Sequence, residues 1–472
     1  MSRVLPLPLP IPHRIKATIF DVGSRCGLRR NLLVLVTFVL VSAYRLDAQD
    51  FTFRVAEYMN AQVEVNHFRG SILIAQNGRV LVGERYGPAN GLSDEQNTRD
   101  SRYRLGSIAK QFIAAAILQL QERGRLQLQD SVCKYIAKCP NGWEEIKIFN
   151  LLVQTDGIPD ASRSFDSKTT RSTTTTPGLL AHLYVRPLEF KPGEKFRYGN
   201  SGYAVLGAVI EKASGEPYLS YLKNHIFIPL GMRETDYAVA VQTLPDINLA
   251  HAGRSKSITP NDLELAIPYS MGRLYSTVED LYRWDRALYG EELLSKESRN
   301  AIFTPYIDGY GFGWVILKEF ERRMEMQGGG IYLWGSSIRR YTDDDVCVIV
   351  LSNSDNADAG RISRDLAAIL FGKHYELPVE HIEVNVNPTI YDSYVGRYEL
   401  APDFVLVVTK EANRLVIQGP SQPKIEILPE SETRFFEKGL DAVINFVKSP
   451  QGNATQLVLQ QGGRDIPAPR TK

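Results

Sequence analysis

The sequence has few cysteines and histidines for its length, and this limits its chemistry. Its 472 residues include 4 Cys and 7 His, and the histidines are scattered. Zinc sites need closely spaced pairs of these residues, and no second pair lies near Cys133 and Cys139. The motifs G-x-S-x-G, H-E-x-x-H and G-x-x-x-x-G-K-[ST] are also missing. We therefore expect no metal ion, no cofactor and none of the enzyme classes that these motifs mark.

A surplus of charge of either sign is missing too. The chain has 55 Lys and Arg against 54 Asp and Glu, for a formal net charge of +1. Domains that bind nucleic acid or anionic membranes carry a basic patch or surplus, so we expect no nucleic-acid partner. The composition, 43% hydrophobic and 23% charged, is ordinary for a globular protein with room for two or three domains.

Long hydrophobic runs are missing after residue 43, so no later segment could span a bilayer. Near the N-terminus, Arg29-Arg30 precedes the short apolar run Leu32–Ala43, and the small residue Ala48 follows. A basic flank, a short apolar core and a small-residue site are the parts of a secretory signal. We expect residues 1–48 to be a signal peptide and the protein to be periplasmic or secreted. An uncleaved N-terminal anchor is the alternative, and we expect no other membrane contact.

The few cysteines fit an exported protein. Cys133 and Cys139 lie in one short segment, and two such thiols outside the cytosol are expected to form a disulfide. Cys347 lies in the apolar run Val-Cys-Val-Ile-Val-Leu, which predicts a buried free thiol in a strand.

Ser107 and Lys110 form an S-x-x-K motif at the mouth of an apolar helical segment. Residues three apart on a helix share a face, so the hydroxyl and the amine would lie side by side. A neutral amine can take the proton of a serine that attacks a carbonyl, and a helix start favours negative charge on the attacked oxygen. The motif is short, however, and Ser220 and Lys223 repeat it in a mixed polar segment.

A second informative stretch is Tyr198-Gly-Asn200, which follows a Pro-Gly turn and precedes an apolar helix. A tyrosine can move protons if a nearby cation lowers its pKa, and an asparagine can contact a substrate carbonyl and a lysine at once. Tyr58-Met-Asn60 has the same spacing, and an isolated tyrosine more often serves packing.

The order of strand-like and helix-like segments predicts the architecture. Two strand-like runs flank Asn77-Gly78 and indicate a tight hairpin; helices fill the middle, and antiparallel strands follow. This predicts an α+β fold in which N- and C-terminal strands share one sheet. Beyond about residue 385, five short, evenly spaced runs predict a small all-β domain. We expect domains at 49–376 and 385–472.

These motifs resemble the penicillin-recognising serine hydrolases, especially the class C β-lactamase-related group. The resemblance covers roughly residues 50–375. It includes the residues around Ser107, Leu151–Pro159, Pro192–Tyr203 and a glycine-rich strand near residue 328. It implies a β-lactamase/transpeptidase-like fold, in which helices flank an antiparallel sheet beside an all-helical region. The tail resembles a small β-barrel-like module often attached to these enzymes.

The resemblance also implies a function. We expect an exported serine hydrolase that forms an acyl-enzyme with an ester, amide or β-lactam carbonyl of a small molecule or peptide. Ser107 would be the nucleophile, and Lys110 and Tyr198 would move protons. The expected substrate-binding residues are Asn200, Gln327, Gly328, Gly329 and Gly330, and the backbone N–H groups of Ser107 and Gly330 would form the oxyanion hole. The oligomeric state is left open.

Three departures from the family pattern leave a second interpretation open. Gln327 stands where the family usually has His or Lys. The run Leu151–Gly157 reads Leu-Leu-Val-Gln-Thr-Asp-Gly in place of Leu-Leu-Thr-His-Thr-Ser-Gly, and Tyr332-Leu-Trp334 replaces a frequent Pro-Gly-Phe. The alternative is a catalytically impaired protein that binds peptidoglycan peptides or a protein partner.

Overall fold

A computed structural model provides the structure of the protein. It describes residues 50–88, 96–160, 176–237, 274–331, 334–354, 357–401, 404–420, 422, 424–437, 442–461 and 464–471. The predicted signal peptide, residues 1–48, and the departure at Tyr332 lie outside these residues. Over the described ranges, no helix is both long enough and apolar enough to cross a membrane.

Strands from both ends of the first 376 residues share one antiparallel sheet, as predicted. Its order is β2-β1-β9-β8-β7-β6, and Gly70 at the start of β1 pairs with Ser352 at the end of β9. The hairpin turn has positive φ at Asn77 (51°) and Gly78 (73°), as a type I′ turn requires. The strands are β1 (Gly70–Gln76), β2 (Arg79–Tyr86), β6 (Val315–Glu319), β7 (Arg322–Ile331), β8 (Trp334–Tyr341) and β9 (Val346–Ser352). A second, three-stranded sheet contains β3 (Tyr103–Arg104), β4 (Asp236–Tyr237) and β5 (Leu274–Ser276).

Helices cover the main sheet and form a separate helical region. They are α1 (50–65), α2 (Ala109–Glu122), α3 (Ile148–Leu152), α4 (Thr176–Tyr184), α5 (Ser201–Ser214), α6 (Tyr218–Leu222), α7 (Val278–Ala287), α8 (Lys296–Ile302) and α9 (Ala359–Leu370). Helix α9 packs on β8 and β9, and α7 packs on β9 and β1. Every residue of β9 is therefore buried, which explains its unbroken apolar run.

Helix α2 occupies the centre of the largest hydrophobic core. All its residues from Ala109 to Leu120 are buried, because α5 and α6 pack against it. A helix that is apolar nearly all round requires such neighbours. The S-x-x-K motif at the start of α2 therefore lies at the edge of the hydrophobic core.

The three cysteines within the described residues lie where the sequence analysis expected them. Cys133 and Cys139 are joined in a disulfide, with Cα atoms 5.2 Å apart, a separation that suits such a bond. Cys347 is free and buried in β9.

The C-terminal strands close into an eight-stranded antiparallel barrel, in which β10 pairs with both β11 and β17. Its own core includes Tyr394, Tyr398, Phe435 and Phe446. The strands are β10 (Gly396–Ala401), β11 (Phe404–Glu411), β12 (Arg414–Gln418), β13 (Ile425–Pro429), β14 (Arg434–Glu437), β15 (Ala442–Lys448), β16 (Ala454–Gln461) and β17 (Arg464–Thr471).

The sequence analysis missed three of these eight strands, namely β10, β13 and β17. Two prolines in Arg464–Thr471 argue against a strand on propensity alone. Barrel closure overrides that propensity, because Pro467 and Pro469 both lie in register with β16. Residues 371–387, between α9 and the barrel, contain no helix or strand.

Candidate active site

Ser107 lies in a short 3₁₀ turn, Gly106–Ile108, that leads directly into α2. The sequence analysis placed it in the first turn of the α-helix itself. The tighter turn arises where the chain leaves β3, and Gly106 has a left-handed φ of +51° there. In a 3₁₀ turn side chains three residues apart eclipse each other, so Ser107 and Lys110 still share one side. Ser107 is half-buried.

The amine of Lys110 contacts three other polar groups of the site. Its Nζ lies 3.1 Å from Ser107 Oγ, 2.8 Å from Tyr198 Oη and 2.9 Å from Asn200 Oδ1. Lys110 is completely buried. Burial lowers its pKa to about 7, and the nearby carboxylate of Asp160 only partly opposes this. A large share of the protein therefore carries a neutral amine at neutral pH.

Tyr198 and Asn200 reach Lys110 from the loop that precedes α5, and Asn200 is the N-cap residue of that helix. Tyr198 is 37% exposed as a residue, whereas its hydroxyl points inward to Lys110. Burial of the phenol raises its pKa, although hydrogen bonds with Ser107 and Gln327 oppose the increase. The condition named in the sequence analysis, a pKa of the tyrosine lowered by a nearby cation, is therefore not met, because burial lowers the pKa of the neighbouring Lys110 amine to about 7. Lys110, and not Tyr198, is the group able to accept a proton near pH 7.

The four remaining predicted residues follow one another on β7, from Gln327 to Gly330. Gln327 is buried, and its Nε2 lies 3.3 Å from Tyr198 Oη and 2.8 Å from the carbonyl oxygen of Gly328. The strand runs close to the 3₁₀ turn, because a Cβ on Gly329 would collide with Leu105 O and lie 3.0 Å from Ser107 N. The structure thus brings together all eight residues predicted to act in catalysis or substrate binding.

The repeated motifs elsewhere have other surroundings. Lys223, the partner of Ser220 in the second S-x-x-K, is hydrogen-bonded to Asp236, and this raises the pKa of its amine. A lysine held in its charged form cannot activate a serine. Tyr58, from the second Y-x-N, donates to Asp365 Oδ2 at 2.9 Å and serves to attach α1 to α9.

Three residues near the site were not singled out from the sequence: Gln154, Asp156 and Tyr310. Gln154 accepts a hydrogen bond from Gly199 N at 2.9 Å, and the ring of Tyr310 packs edge-on against that of Tyr198 at 5.9 Å. Asp156 is buried beside the start of α5, and burial raises its pKa to about 7. The departure from the family pattern in Leu151–Gly157 was a usable signal for Gln154 and Asp156, and the family-like run Tyr310-Gly-Phe-Gly-Trp314 was one for Tyr310.

The sheet with its covering helices is that of the β-lactamase and penicillin-binding-protein class of serine hydrolases. The chain belongs to the Beta-lactamase family, whose model matches residues 55–373. A second family model, described as a domain of unknown function (DUF3471), matches residues 380–468, which contain most of the barrel.

Individual proteins show the same likeness over most of the chain. Penicillin-binding protein 4* of Bacillus subtilis (strain 168) is 30% identical over 440 residues, which cover 87% of this chain and 96% of that protein. The octameric penicillin-binding protein homologue from Pyrococcus abyssi has a TM-score of 0.64 at 24% identity, covering 88% of this chain and 99% of its own. D-amino acid amidase from Ochrobactrum anthropi SV3 has a TM-score of 0.60 at 18% identity, covering 68% and 99%. Both structures have the same fold as this chain.

Proposed function

We propose that this protein is a serine hydrolase that forms an acyl-enzyme at Ser107. The observation that carries the proposal is the environment of Lys110. Its buried amine, with a pKa lowered to about 7, lies 3.1 Å from the serine hydroxyl. A base with a pKa near the working pH combines a large unprotonated fraction with useful basicity.

The distances suggest how the protons are arranged before attack. A neutral amine has two N–H donors and one lone pair. The two shorter contacts of Lys110 Nζ, with Tyr198 Oη and Asn200 Oδ1, suit the two donors. The longest, with Ser107 Oγ, suits the lone pair, which accepts the serine proton.

Acylation then proceeds in balanced steps. Ser107 Oγ bonds to the substrate carbonyl carbon while its proton moves to Lys110 Nζ. The tetrahedral intermediate collapses, the bond to the leaving group breaks, and Tyr198 gives that group a proton and regains one from Lys110. Water attacks the acyl carbon next and loses a proton to the same pair. The bond between the acyl carbon and Ser107 Oγ then breaks, the pair returns that proton to Oγ, and the acid leaves.

The oxyanion of the tetrahedral intermediate needs donors that are already in place. We assign this role to the backbone N–H groups of Ser107 and Gly330, because β7 runs against the 3₁₀ turn and brings the two segments together. In other hydrolases one such donor is worth about 3 to 4 kcal/mol.

We further propose that the preferred substrates are small neutral esters, with penicillins and peptides that end in D-Ala accepted less well. Those two substrates bear a carboxylate, and Gln327 offers no charge to pair with it. The name of the Bacillus subtilis relative records penicillin binding, so we still expect a penicillin to acylate Ser107 slowly.

Labelling with a fluorophosphonate and with a fluorescent penicillin tests the proposal. We expect the wild type to be labelled, Ser107→Ala to be unlabelled and Lys110→Ala to be nearly so. Ser220→Ala is the matched control, because it removes the serine of the other S-x-x-K motif, and it should label normally. If neither probe labels the folded wild type, the result would favour the alternative, a catalytically impaired protein that binds peptidoglycan peptides or a protein partner.

We also infer that the protein is exported. The support is the sequence pattern of Arg29 to Ala48, together with the disulfide between Cys133 and Cys139. Intact-mass analysis of protein from the producing cell tests this inference. A mature chain that begins near residue 49 is expected, whereas a full-length chain in the cytosol would refute export.

A further inference from the structure

The peptide N–H groups on both sides of Tyr198 are held by a single distant residue, Gln154. Arg197 N donates to the backbone carbonyl of Gln154 at 2.9 Å. Gly199 N donates to its side-chain Oε1, also at 2.9 Å. The backbone that carries the Tyr198 phenol is therefore attached to one residue at two points.

Gln154 is itself fixed in place. It follows α3 with a left-handed φ of 63° and is 1% exposed. Non-glycine residues adopt this conformation only where their surroundings impose it. Here those surroundings are the hydrogen bonds of its neighbours, from Val153 N to Phe149 O at 3.1 Å and from Thr155 N to Asn150 O at 2.9 Å. The attachment point of the Tyr198 loop is thus rigid.

The side chain of Gln154 also extends toward Tyr310, the residue whose ring packs against the phenol ring of Tyr198. Its amide lies near the hydroxyl of Tyr310 and opposes the rise in the pKa of Tyr310 that burial causes, although neither Gln154 Nε2 nor Tyr310 Oη has a hydrogen-bond partner among the described residues. Tyr310 in turn packs edge-on against the ring of Tyr198. Gln154 therefore bonds the loop backbone on both sides of Tyr198 and lies near the tyrosine whose ring packs against that of Tyr198.

We propose that Gln154 is a positioning residue that sets the distance between the Tyr198 hydroxyl and Lys110. The inference rests on the proposed function, because the distance matters only if these two groups exchange protons. Proton transfer between them needs a placement accurate to roughly half an ångström. The amide of Gln154 does not titrate, so it accepts from Gly199 N at every pH.

The experiment compares two buried glutamines. Gln154→Met keeps the length of the side chain and removes its acceptor, and Gln154→Glu restores an acceptor oxygen. Gln119→Met is the matched control, since Gln119 is buried on α2 and its amide bonds the carbonyl oxygen of His225 at 3.2 Å, away from Ser107. The rate of fluorophosphonate labelling, kcat and KM for a neutral ester, and the Tm are measured for each variant.

We expect Gln154→Met to slow labelling and kcat at least tenfold and to change KM less than threefold. Gln154→Glu should recover part of the rate. Gln119→Met should keep the wild-type rate even if its Tm falls as much as that of Gln154→Met. A Gln154→Met rate within twofold of the wild type, an equal loss in Gln119→Met, or an effect on KM alone would overturn the inference.

A second measurement separates this inference from the proposed function. The pKa of the Lys110 amine, measured by ¹⁵N NMR, does not require turnover. A displaced Tyr198 would admit water to the amine, so we expect this pKa to rise in Gln154→Met by at least half a unit. If the wild type is not labelled by either probe, the proposed function fails, and the NMR result alone decides whether Gln154 positions Tyr198. An unchanged pKa would then refute the positioning role.

Discussion

The amide nitrogen of Gln327 is turned toward the hydroxyl of Tyr198 and the backbone of its own strand. Its Nε2 has two hydrogens and two acceptors within the protein, Tyr198 Oη at 3.3 Å and Gly328 O at 2.8 Å. Only a nitrogen can donate to a carbonyl, so the contact with Gly328 settles which end of the amide is which. The residue that replaces the family's His or Lys thus has neither a charge nor an N–H to spare for a substrate.

Gln327→His should change which substrates are cleaved. An added imidazole can pair with a carboxylate when protonated, and a charge-assisted hydrogen bond is about twice as strong as a neutral one. We expect kcat/KM for penicillins and for peptides ending in D-Ala to rise about tenfold, equivalent to about 1.4 kcal/mol, with neutral esters changed less than twofold. Steady-state kinetics on matched ester and carboxylate substrates measure this, and Gln119→His serves as the control. The idea fails if the wild type already prefers penicillins, or if Gln327→His alters neither substrate class.

The labelling rate should rise with pH through about 7. The pKa of Lys110 is lowered to about 7, so the amine is protonated and inactive below that pH and free to accept a proton above it. The rate should fall about tenfold for each pH unit below 6. Asp156 also has a pKa of about 7, and the isosteric Asp156→Asn shows which group is responsible. If the labelling rate of Asp156→Asn still falls below pH 7, the titrating group is Lys110. If the rate of that variant no longer depends on pH, the assignment to Lys110 is contradicted.

Lys110→Met should stabilise the protein while abolishing labelling. The lysine binds its proton with a pKa of 10.5 when exposed and about 7 when buried, so between these values the unfolded chain binds more protons. Wild-type stability therefore rises with pH across this window, and it is lowest, relative to the variant, at pH 7 and below. Removing the buried amine should add roughly 1 to 2 kcal/mol to the free energy of unfolding at pH 7, with less gain at pH 9. Urea denaturation measures both, with Lys223→Met, whose amine is paired with Asp236, as a variant that should not gain stability.

The disulfide between Cys133 and Cys139 should be present in protein taken from its export compartment. It closes a loop with a sequence separation of 6 residues, for which the chain-entropy model predicts about 2 kcal/mol. Peptide mass spectrometry without reduction should find the linked pair, and the double variant Cys133→Ala/Cys139→Ala should lower the Tm and leave the labelling rate unchanged. Two free thiols in the exported protein would refute the prediction. Cys347 is buried and should react with thiol reagents only after unfolding.

A chain that ends at residue 376 should fold and still label. The barrel has its own hydrophobic core, and none of the residues that contact Lys110 Nζ comes from it. Within the described part of the chain, the hydrogen bonds from the linker to the barrel, Val384 N to Pro429 O at 2.8 Å and His381 Nδ1 with Glu430 Oε1 at 3.1 Å, lie beyond the truncation point. A cooperative thermal transition and a labelling rate within threefold of the full chain are expected. Loss of both would show that the barrel completes the core or the site.

The sequence by itself determined the features that depend on neighbours along the chain. The Asn77-Gly78 turn, the spacing of Ser107 and Lys110, and the apolar character of α2 all follow from local rules. The motif order further indicated the family, and with it the partners of Lys110. The spacing alone does not separate Ser107 from Ser220, because both have a lysine three residues further on, and only the apolar run that follows Lys110 distinguishes the two motifs.

What these residues can do depends on contacts that form only in the folded protein. Burial by surrounding helices lowers the pKa of Lys110, whereas Asp236 keeps Lys223 charged. Neither environment can be predicted from a four-residue motif. The attachment of the Tyr198 loop to Gln154, the orientation of the Gln327 amide and the pairing of the proline-containing strand β17 depend equally on residues far apart in the chain. The physical reason is that solvation and hydrogen bonding are set by every group within a few ångströms, and folding selects those groups from the whole chain.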